Sequence, residues 1–305
     1  MSTKYQKYML NFLCNLSIKF YIWLSGINLD KLYYFADILG SLAANAFTFD
    51  FHKNTRINLA SAFPYKCKEE LRVIEKLYYK MICHFAVETA SKISFSEDEI
   101  RKRVKYTNIE LLRNLLDKYK YVVCYSGHVT NYEWMTGLPL EIPGYGMCNF
   151  YKSTDFEENP LSVFIKNNRA RFGAKLIPTS SPLREILNYR NEIEEKQCKE
   201  KGFVIGSLSD MYDDSINAHK VKMFNWTLRP YTGAEKIGRR LNAAFVYGRI
   251  RCRTRGYYEI TFELLQPDDI DINSFAYTDE FFRHLESNVR EYPHLWMMWG
   301  ERIYK

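Results

Sequence analysis

Apolar residues recur with two different spacings along this chain, and the places where one gives way to the other predict its elements. From Lys120 to Ser126 the run Tyr-Val-Val-Cys-Tyr is continuous and β-type, and it ends at Gly127 and His128. That is the pattern of a buried strand delivering a histidine to a turn. From Thr130 onward the residues suit a helix start, with Glu133 in its first turn. A second continuous run, Phe203 to Ser209, predicts another buried strand, which brings Asp210 to its carboxyl end, the edge where open α/β sheets place ligands. Gly144 to Tyr151 reads as a further strand. Ala243 to Cys252 and Tyr257 to Leu265 alternate with period two around Arg255 and Gly256, as a hairpin does. Between these runs the spacing turns helical. Lys68 to Ser91 carries a stripe at Leu71, Ile74, Leu77, Tyr78, Met81 and Phe85, and Ser96 to Glu99 opens another helix with a capping-box pattern. Pro160 to Asn168, Glu185 to Lys201 and Glu235 to Arg240 complete the predicted helices. Strands alternating with helices argue for an α/β domain.

The first residues follow a different rule. Residues 8–25 are rich in apolar and aromatic side chains but interrupted by Asn11, Asn15 and Lys19, so they do not make a clean spanning helix. Lys4, Lys7 and Lys19 suit lipid headgroups and Trp23 suits the boundary below them, which predicts an interfacial or shallowly inserted helix. A hydrophobic helix packed on the domain is the alternative. Leu32 to Phe49 reads as a second helix, with Gly40, Ala43 and Ala44 on a packing face. The chain therefore divides into a membrane-associated helical segment, residues 1–49, and one domain, residues 50–305.

Composition narrows the class only in part. A hydrophobic content of 47% leaves ample material for a core, and no repeat or low-complexity tract points to a solenoid. The net charge of +7 suits an anionic membrane surface, a phosphorylated substrate or nucleic acid equally. No nucleic-acid-binding motif organises the arginines, so a basic binding module is the weaker reading. The seven cysteines are scattered, without zinc spacing or a disulfide framework, which implies a reducing compartment and no metal.

Chemistry concentrates at the turn after the first strand. A histidine there can fold back onto Glu133; the acid would accept one ring proton and leave the other nitrogen free to act as a base. The same spacing, Thr130-x-x-Glu133, also fits a capping box that does no more than tie down a helix start. Glu88 continues the apolar stripe where an acid is unexpected, and His84 stands four residues before it, in pairing distance on one helix face. Arg249, Arg251, Arg253 and Arg255 share one side of the hairpin, where Glu259 and Glu263 on the other strand predict cross-strand ion pairs rather than a phosphate ladder.

These segments also carry a likeness. The His128-x4-Glu133 spacing resembles that of the glycerolipid and lysophospholipid acyltransferases, and Gly127-His128-x-x-Asn131-Tyr132-Glu133-Trp134 is similar to the lipid A biosynthesis branch, which has glycine where this chain has Thr130. Asn58-Leu59 before Phe63-Pro64, Asn159-Pro160 before Arg169-x-Arg171-Phe172-Gly173, Ser209-Asp210 and Thr232-Gly233 resemble further blocks in the same order. The resemblance implies an α/β fold with a mixed central sheet flanked by helices. It also implies transfer of a fatty acyl group from an acyl carrier protein or coenzyme A thioester to a hydroxyl of a lipid A precursor. His128 would be the base and Glu133 its orienter; Arg169, with Arg171 as neighbouring candidate, and Asp210 would bind substrate. No cofactor would be needed beyond the thioester. The expected partners are the membrane lipid acceptor and the acyl carrier protein, at the cytoplasmic face of a bacterial inner membrane. Another membrane lipid, an aminolipid or lysophospholipid, is the alternative acceptor. Thr130 in place of glycine, and Met211 where the family has glutamine after the aspartate, are departures that keep open a catalytically silent membrane scaffold.

Overall fold

The computed structural model describes residues 3–45, 50–151, 159–195, 200–215, 217–268, 271, 274–301 and 303. Five helices lead in: α1 (Thr3–Ser25), α2 (Leu29–Ala43), α3 (Asp50–Ala62), α4 (Lys68–Lys92) and α5 (Glu97–Arg103). Strands and helices then alternate through β1 (Val104–Tyr106), α6 (Ile109–Tyr119), β2 (Tyr121–Ser126), β3 (Gly146–Tyr151), α7 (Pro160–Ala170), β4 (Ala174–Pro178), α8 (Pro182–Glu195) and β5 (Phe203–Leu208). A small hairpin, β6 (Val221–Met223) and β7 (Trp226–Leu228), precedes α9 (Gly233–Arg240), β8 (Ala244–Thr254), β9 (Tyr257–Leu264) and α10 (Ala276–Glu291).

Seven strands form one sheet in the order β1-β9-β8-β2-β5-β3-β4. All neighbouring pairs are parallel except β8 with β9, so the sheet is mixed and mostly parallel, as expected. Helices cover both faces, which is why β2 is buried at every position rather than alternating. Its side chains divide between two cores. Val123 and Tyr125 join a cluster with Tyr78, Ile186, Phe281 and Trp296, while Val122 and Cys124 join Leu112, Trp134, Leu138 and Ile260 on the other side. At about 25 cal/mol per Å² of apolar surface removed from water, each fully buried large side chain here contributes roughly 1.5–3 kcal/mol relative to an exposed one.

Several expectations change at this level. Thr130 does not begin an α-helix: it has φ +46°, in the left-handed region, and a 3₁₀ helix begins two residues later, Tyr132–Glu141. The preceding Asn131 makes no side-chain cap, so the Thr130–Glu133 capping box is not formed. The second helix ends at Ala43 and the charged helix at Glu195; Ala44, Asn45, Glu200 and Lys201 are not helical, and the rest of both expected spans, residues 46–49 and 196–199, lies outside the described residues, as do the side chains of Lys4 and Lys7. The Ser96 cap is present, its side chain accepting from the Glu99 backbone.

Candidate active site

The pairing of β2 with β5 builds the site. Parallel register sets Ser126 opposite Leu208, and the Ser209 amide donates to the Ser126 carbonyl at 3.0 Å. Two residues beyond those registered ends stand His128 and Asp210. The His128 backbone N–H donates to Asp210 Oδ2 at 2.8 Å and Nδ1 lies 2.6 Å from Oδ1. Gly127 allows that approach, because a Cβ there would meet Leu285 at 2.7 Å and Asp210 Oδ2 at 3.2 Å. A third donor, Trp296 Nε1, reaches Oδ2 at 2.9 Å. The turn is gripped from its other side as well: Thr130 N–H donates to the Leu295 carbonyl at 2.6 Å, and Met297 N–H to the His128 carbonyl at 2.8 Å. These bonds hold a β-branched residue at a positive φ, a conformation that costs about 1–3 kcal/mol. The strained threonine occupies the position where the resembling blocks have glycine, the residue for which that φ carries no steric cost.

A carboxylate only accepts, so the Nδ1 beside Asp210 carries the proton and Nε2 is left as the basic nitrogen. Burial pulls the His128 pKa down, but the charge and hydrogen bond of Asp210 outweigh it and raise the pKa above its ordinary value. Burial pushes Asp210 the other way, and His128 and Trp296 hold it below the usual carboxylate range. The His128 ring also meets Tyr132 edge-on, with centroids 4.8 Å apart.

Glu133 is not the partner of His128. The buried Glu133 carboxylate takes a bond from Arg169 Nε at 2.9 Å, a second contact from the same guanidinium, and an ion pair with Lys92 Nζ at 3.3 Å. Lys92, itself buried, also donates to the Glu133 carbonyl at 2.8 Å and to Thr136 Oγ1 at 3.2 Å. Burial would raise the Glu133 pKa, but Lys92 and Arg169 bring it below its ordinary value, so the carboxylate stays ionised between two cations. The expected orienting bond is absent because Asp210 already holds Nδ1 and fixed charges already occupy Glu133. Asp210, for its part, binds neither Arg169 nor open space for a substrate hydroxyl.

Arg171 is placed differently from Arg169. Its guanidinium donates to the Lys92 and Phe95 carbonyls, both at 2.8 Å, and to that of Ile93, closing the C-terminal end of α4. With its donors on backbone, it is a helix-terminal cation rather than a substrate contact. His84 pairs with Asp37 at 2.9 Å and not with Glu88. Glu88 is buried and accepts from Tyr33 and Tyr258 at 2.6 Å, Asn131 at 2.9 Å and Trp134 at 3.1 Å. On the hairpin, Arg249–Glu263 and Arg253–Glu259 form the expected cross-strand pairs, whereas Arg251 goes to Glu291 and Arg255 to Asp37.

A cavity of ≈ 80 Å³ opens at the carboxyl ends of β2, β3 and β5. Its walls include Met135, Met147, Phe150, Leu176 and Leu208, and Tyr132, Glu133 and Arg169 line it too. Gly206 keeps this space: a Cβ there would collide with Asn149 Oδ1 at 2.1 Å. Among the described residues no cluster of three or more His, Cys, Asp or Glu side chains is arranged to hold a metal ion.

A histidine with a free basic nitrogen at the carboxyl edge of the sheet, near an apolar cavity with a cation at its wall, has the chemistry to accept a proton from a hydroxyl. The comparison with protein families fits that chemistry. A family model described as bacterial lipid A biosynthesis acyltransferase matches residues 3–305. The chain belongs to that family. A search of curated proteins found none that matches. In this family member His128 with Asp210 and Glu133 with Arg169 form two separate ion pairs around the turn. Lys92, Tyr132 and Trp296 complete the arrangement. Lys92 carried a signal in the sequence, since it continues the stripe Tyr78, Met81, Phe85, Glu88 by one more helical step onto a buried face. Trp296 carried none beyond its place in a tryptophan-rich segment.

Proposed function

We propose that this protein is a membrane-associated O-acyltransferase that moves a fatty acyl group from an acyl carrier protein thioester to a hydroxyl of a lipid A precursor. The observation that carries the reading is the His128–Asp210 pair, oriented by three hydrogen bonds beside an apolar cavity. In this mechanism His128 Nε2 takes the acceptor hydroxyl proton as the oxygen attacks the thioester carbonyl carbon. Asp210 stabilises the imidazolium that forms. The C–S bond then breaks, the sulfur leaves with the proton returned by His128, and an ester remains. The thioester end of the acyl chain enters the cavity walled by Met135, Met147, Phe150, Leu176 and Leu208. Arg169, steadied by Glu133 at the cavity wall, supplies donors for the tetrahedral oxyanion or for the phosphopantetheine arm.

The bilayer supplies the acceptor. Phe12, Leu16, Phe20 and Trp23 on α1 and Tyr34, Phe35, Leu39 and Leu42 on α2 are exposed. Among the described residues no single helix is long and apolar enough to cross a membrane; Tyr8–Ser25 and Leu29–Ala43, bent by 117°, meet length and composition only together. An apolar surface of this kind fits interfacial attachment, which we assign to the cytoplasmic face of a bacterial inner membrane. Phe35→Asp with Leu39→Asp should abolish flotation with anionic phospholipid vesicles while leaving the melting temperature unchanged.

The decisive assay incubates the purified protein with a lipid A precursor and acyl-carrier-protein or coenzyme A thioesters, and follows the lipid by mass spectrometry. A mass gain of one acyl group that is lost in His128→Ala supports the proposal. No gain with either donor, from folded wild-type protein, overturns it; a gain only on an aminolipid or lysophospholipid would reassign the acceptor.

A further inference from the structure

A second cavity, of ≈ 360 Å³, lies beside the catalytic turn, and the transfer chemistry above leaves it unused. Thr130 and Asn131, the second and third residues after His128, form part of its wall; α4 contributes Lys80, His84 and Phe85, and the hairpin tip contributes Arg255. Tyr132 separates it from the first cavity. That ring lines the first cavity and meets His128 at 4.8 Å on one side, and on the other packs at 5.4 Å against Phe85, which lines the second. The base thus stands beside the partition between two spaces, as an enzyme with two substrates requires.

The polar groups of this second space are unevenly matched. His84 and Arg255 share one acid, Asp37, at 2.9 and 2.8 Å. The other acid in the wall, Glu88, is occupied by four uncharged donors. Lys80 has no hydrogen bond or ion pair among the described residues, and its backbone packs so closely on Gly40 of α2 that a Cβ there would meet the Lys80 Cα at 2.7 Å. Asn131 is 2% exposed and gives its amide N–H to Glu88, which fixes the orientation of the amide and leaves Oδ1 buried without a partner. A buried acceptor left unsatisfied costs about 1–3 kcal/mol, which a ligand hydroxyl or N–H recovers.

We infer that this cavity holds the headgroup of the acyl acceptor: a hydroxylated sugar bearing a phosphate, the phosphate on Lys80 with Arg255 and a sugar hydroxyl or N–H on Asn131 Oδ1. The inference rests on the proposed transfer to a lipid hydroxyl and adds where the acceptor is read. The pantetheine 4′-phosphate of the donor has the same combination of anion and hydrogen-bond donors. The position of this space across Tyr132 from the acyl cavity favours the acceptor.

Calorimetric titration of glucosamine 1-phosphate into the full-length, detergent-solubilised protein tests it, with glucosamine and pantetheine 4′-phosphate as comparison probes. Saturable binding of glucosamine 1-phosphate, weakened about tenfold or more in Lys80→Gln and in Arg255→Gln and absent for glucosamine, is the expected result. In acyl transfer Lys80→Gln should raise the acceptor KM about tenfold and leave kcat within twofold. Equal affinity in wild type and both variants overturns the site, and so does tighter, Lys80-dependent binding of pantetheine 4′-phosphate. Lys80-dependent binding by a protein that acylates no lipid would uphold the site and remove the function; normal transfer indifferent to both substitutions would do the reverse.

Discussion

Asp210, just beyond β5, and Glu133, at the far end of the turn after β2, are both buried carboxylates near His128, and their surroundings differ in kind. Asp210 faces a backbone amide, an indole N–H and an imidazole; of these only the imidazole titrates near neutrality. Its attraction to His128 therefore strengthens when the imidazole takes a proton. Glu133 instead faces two cations, Lys92 and Arg169, which hold its carboxylate ionised. A carboxylate that is already neutralised responds little to a proton arriving elsewhere. Nearness in sequence to a histidine is thus a poor guide to which acid orients it; what decides is whether the acid has charge to spare.

The sharpest way to break this comparison is to remove the charge of each acid in turn. Asp210→Asn keeps the shape but can present an N–H to Nδ1 and select the wrong tautomer, so turnover should fall about 10²–10⁴-fold, as far as in His128→Ala. A mild loss in Asp210→Asn, measured in a folded variant, would return the orienting role to Glu133. Glu133→Gln should act mainly on the fold. It leaves Lys92 buried without its counter-charge, a change worth about 3–5 kcal/mol of stability for a broken buried pair, read from denaturant melts. Adding Lys92→Met should recover much of that loss, because no uncompensated charge then remains; a double variant no more stable than Glu133→Gln would show that the pair is not the source.

Titration sharpens the same contrast more gently. The free imidazole is the active form, so kcat/KM should rise with pH along a limb centred above the ordinary histidine value of about 6.5, because Asp210 raises the His128 pKa. In Asp210→Asn burial and the Arg169 charge pull the His128 pKa down against the Glu133 charge alone, and the residual activity should show its limb moved below that value. Stability runs in the opposite sense. The contribution of the charged pair is full below the unfolded histidine pKa and is lost as pH rises through the higher folded one, so activity and this increment of stability exchange over one window. Asp210, held low, loses its contribution only as pH falls through its own folded pKa.

The smallest expected effect lies at Thr130. If it capped a helix, Thr130→Gly would change stability by no more than a few tenths of a kcal/mol and Thr130→Ala would lose about 1 kcal/mol. With φ +46° and no cap, Thr130→Gly should instead raise stability by up to about 1 kcal/mol, and Thr130→Ala should change it little, because alanine keeps the strain. Thermal melts of the two variants, ranked against each other, separate the cases.

Much of the architecture could be read from local pattern, and the reason is physical. β2 and β5 are continuous apolar runs because both faces of the sheet are covered, and two residues beyond each stands one member of the His128–Asp210 pair. What local pattern does not contain is strand order. His128 meets Asp210 because β5 lies beside β2, although β3 and β4 intervene along the chain. The nearer acid, Glu133, was the natural partner from spacing alone, and the cations that occupy it come from α4 and α7. Glu88 stood out as an acid in an apolar stripe, but its donors arrive from α2, the catalytic turn, the 3₁₀ helix and β9, which no single window of sequence spans. Arg171 was legible only as one of two arginines; whether it meets ligand or helix carbonyls depends on where α4 ends in space.

The grip of residues 295–297 on the catalytic turn has a consequence in time. A ribosome adds about 5–20 residues per second, and β2 with its histidine emerges long before Leu295, Trp296 and Met297, which hold the Thr130 amide, the Asp210 carboxylate and the His128 carbonyl. During that interval the strands of the central sheet can pair, yet the base has no fixed orientation and the strained threonine has nothing to hold it. On the proposed mechanism a nascent chain is therefore a poor catalyst even when most of its sheet has formed. The long-range contact that closes the site would then also be a maturation step, with acyl transfer waiting until residues 295–297 have been made.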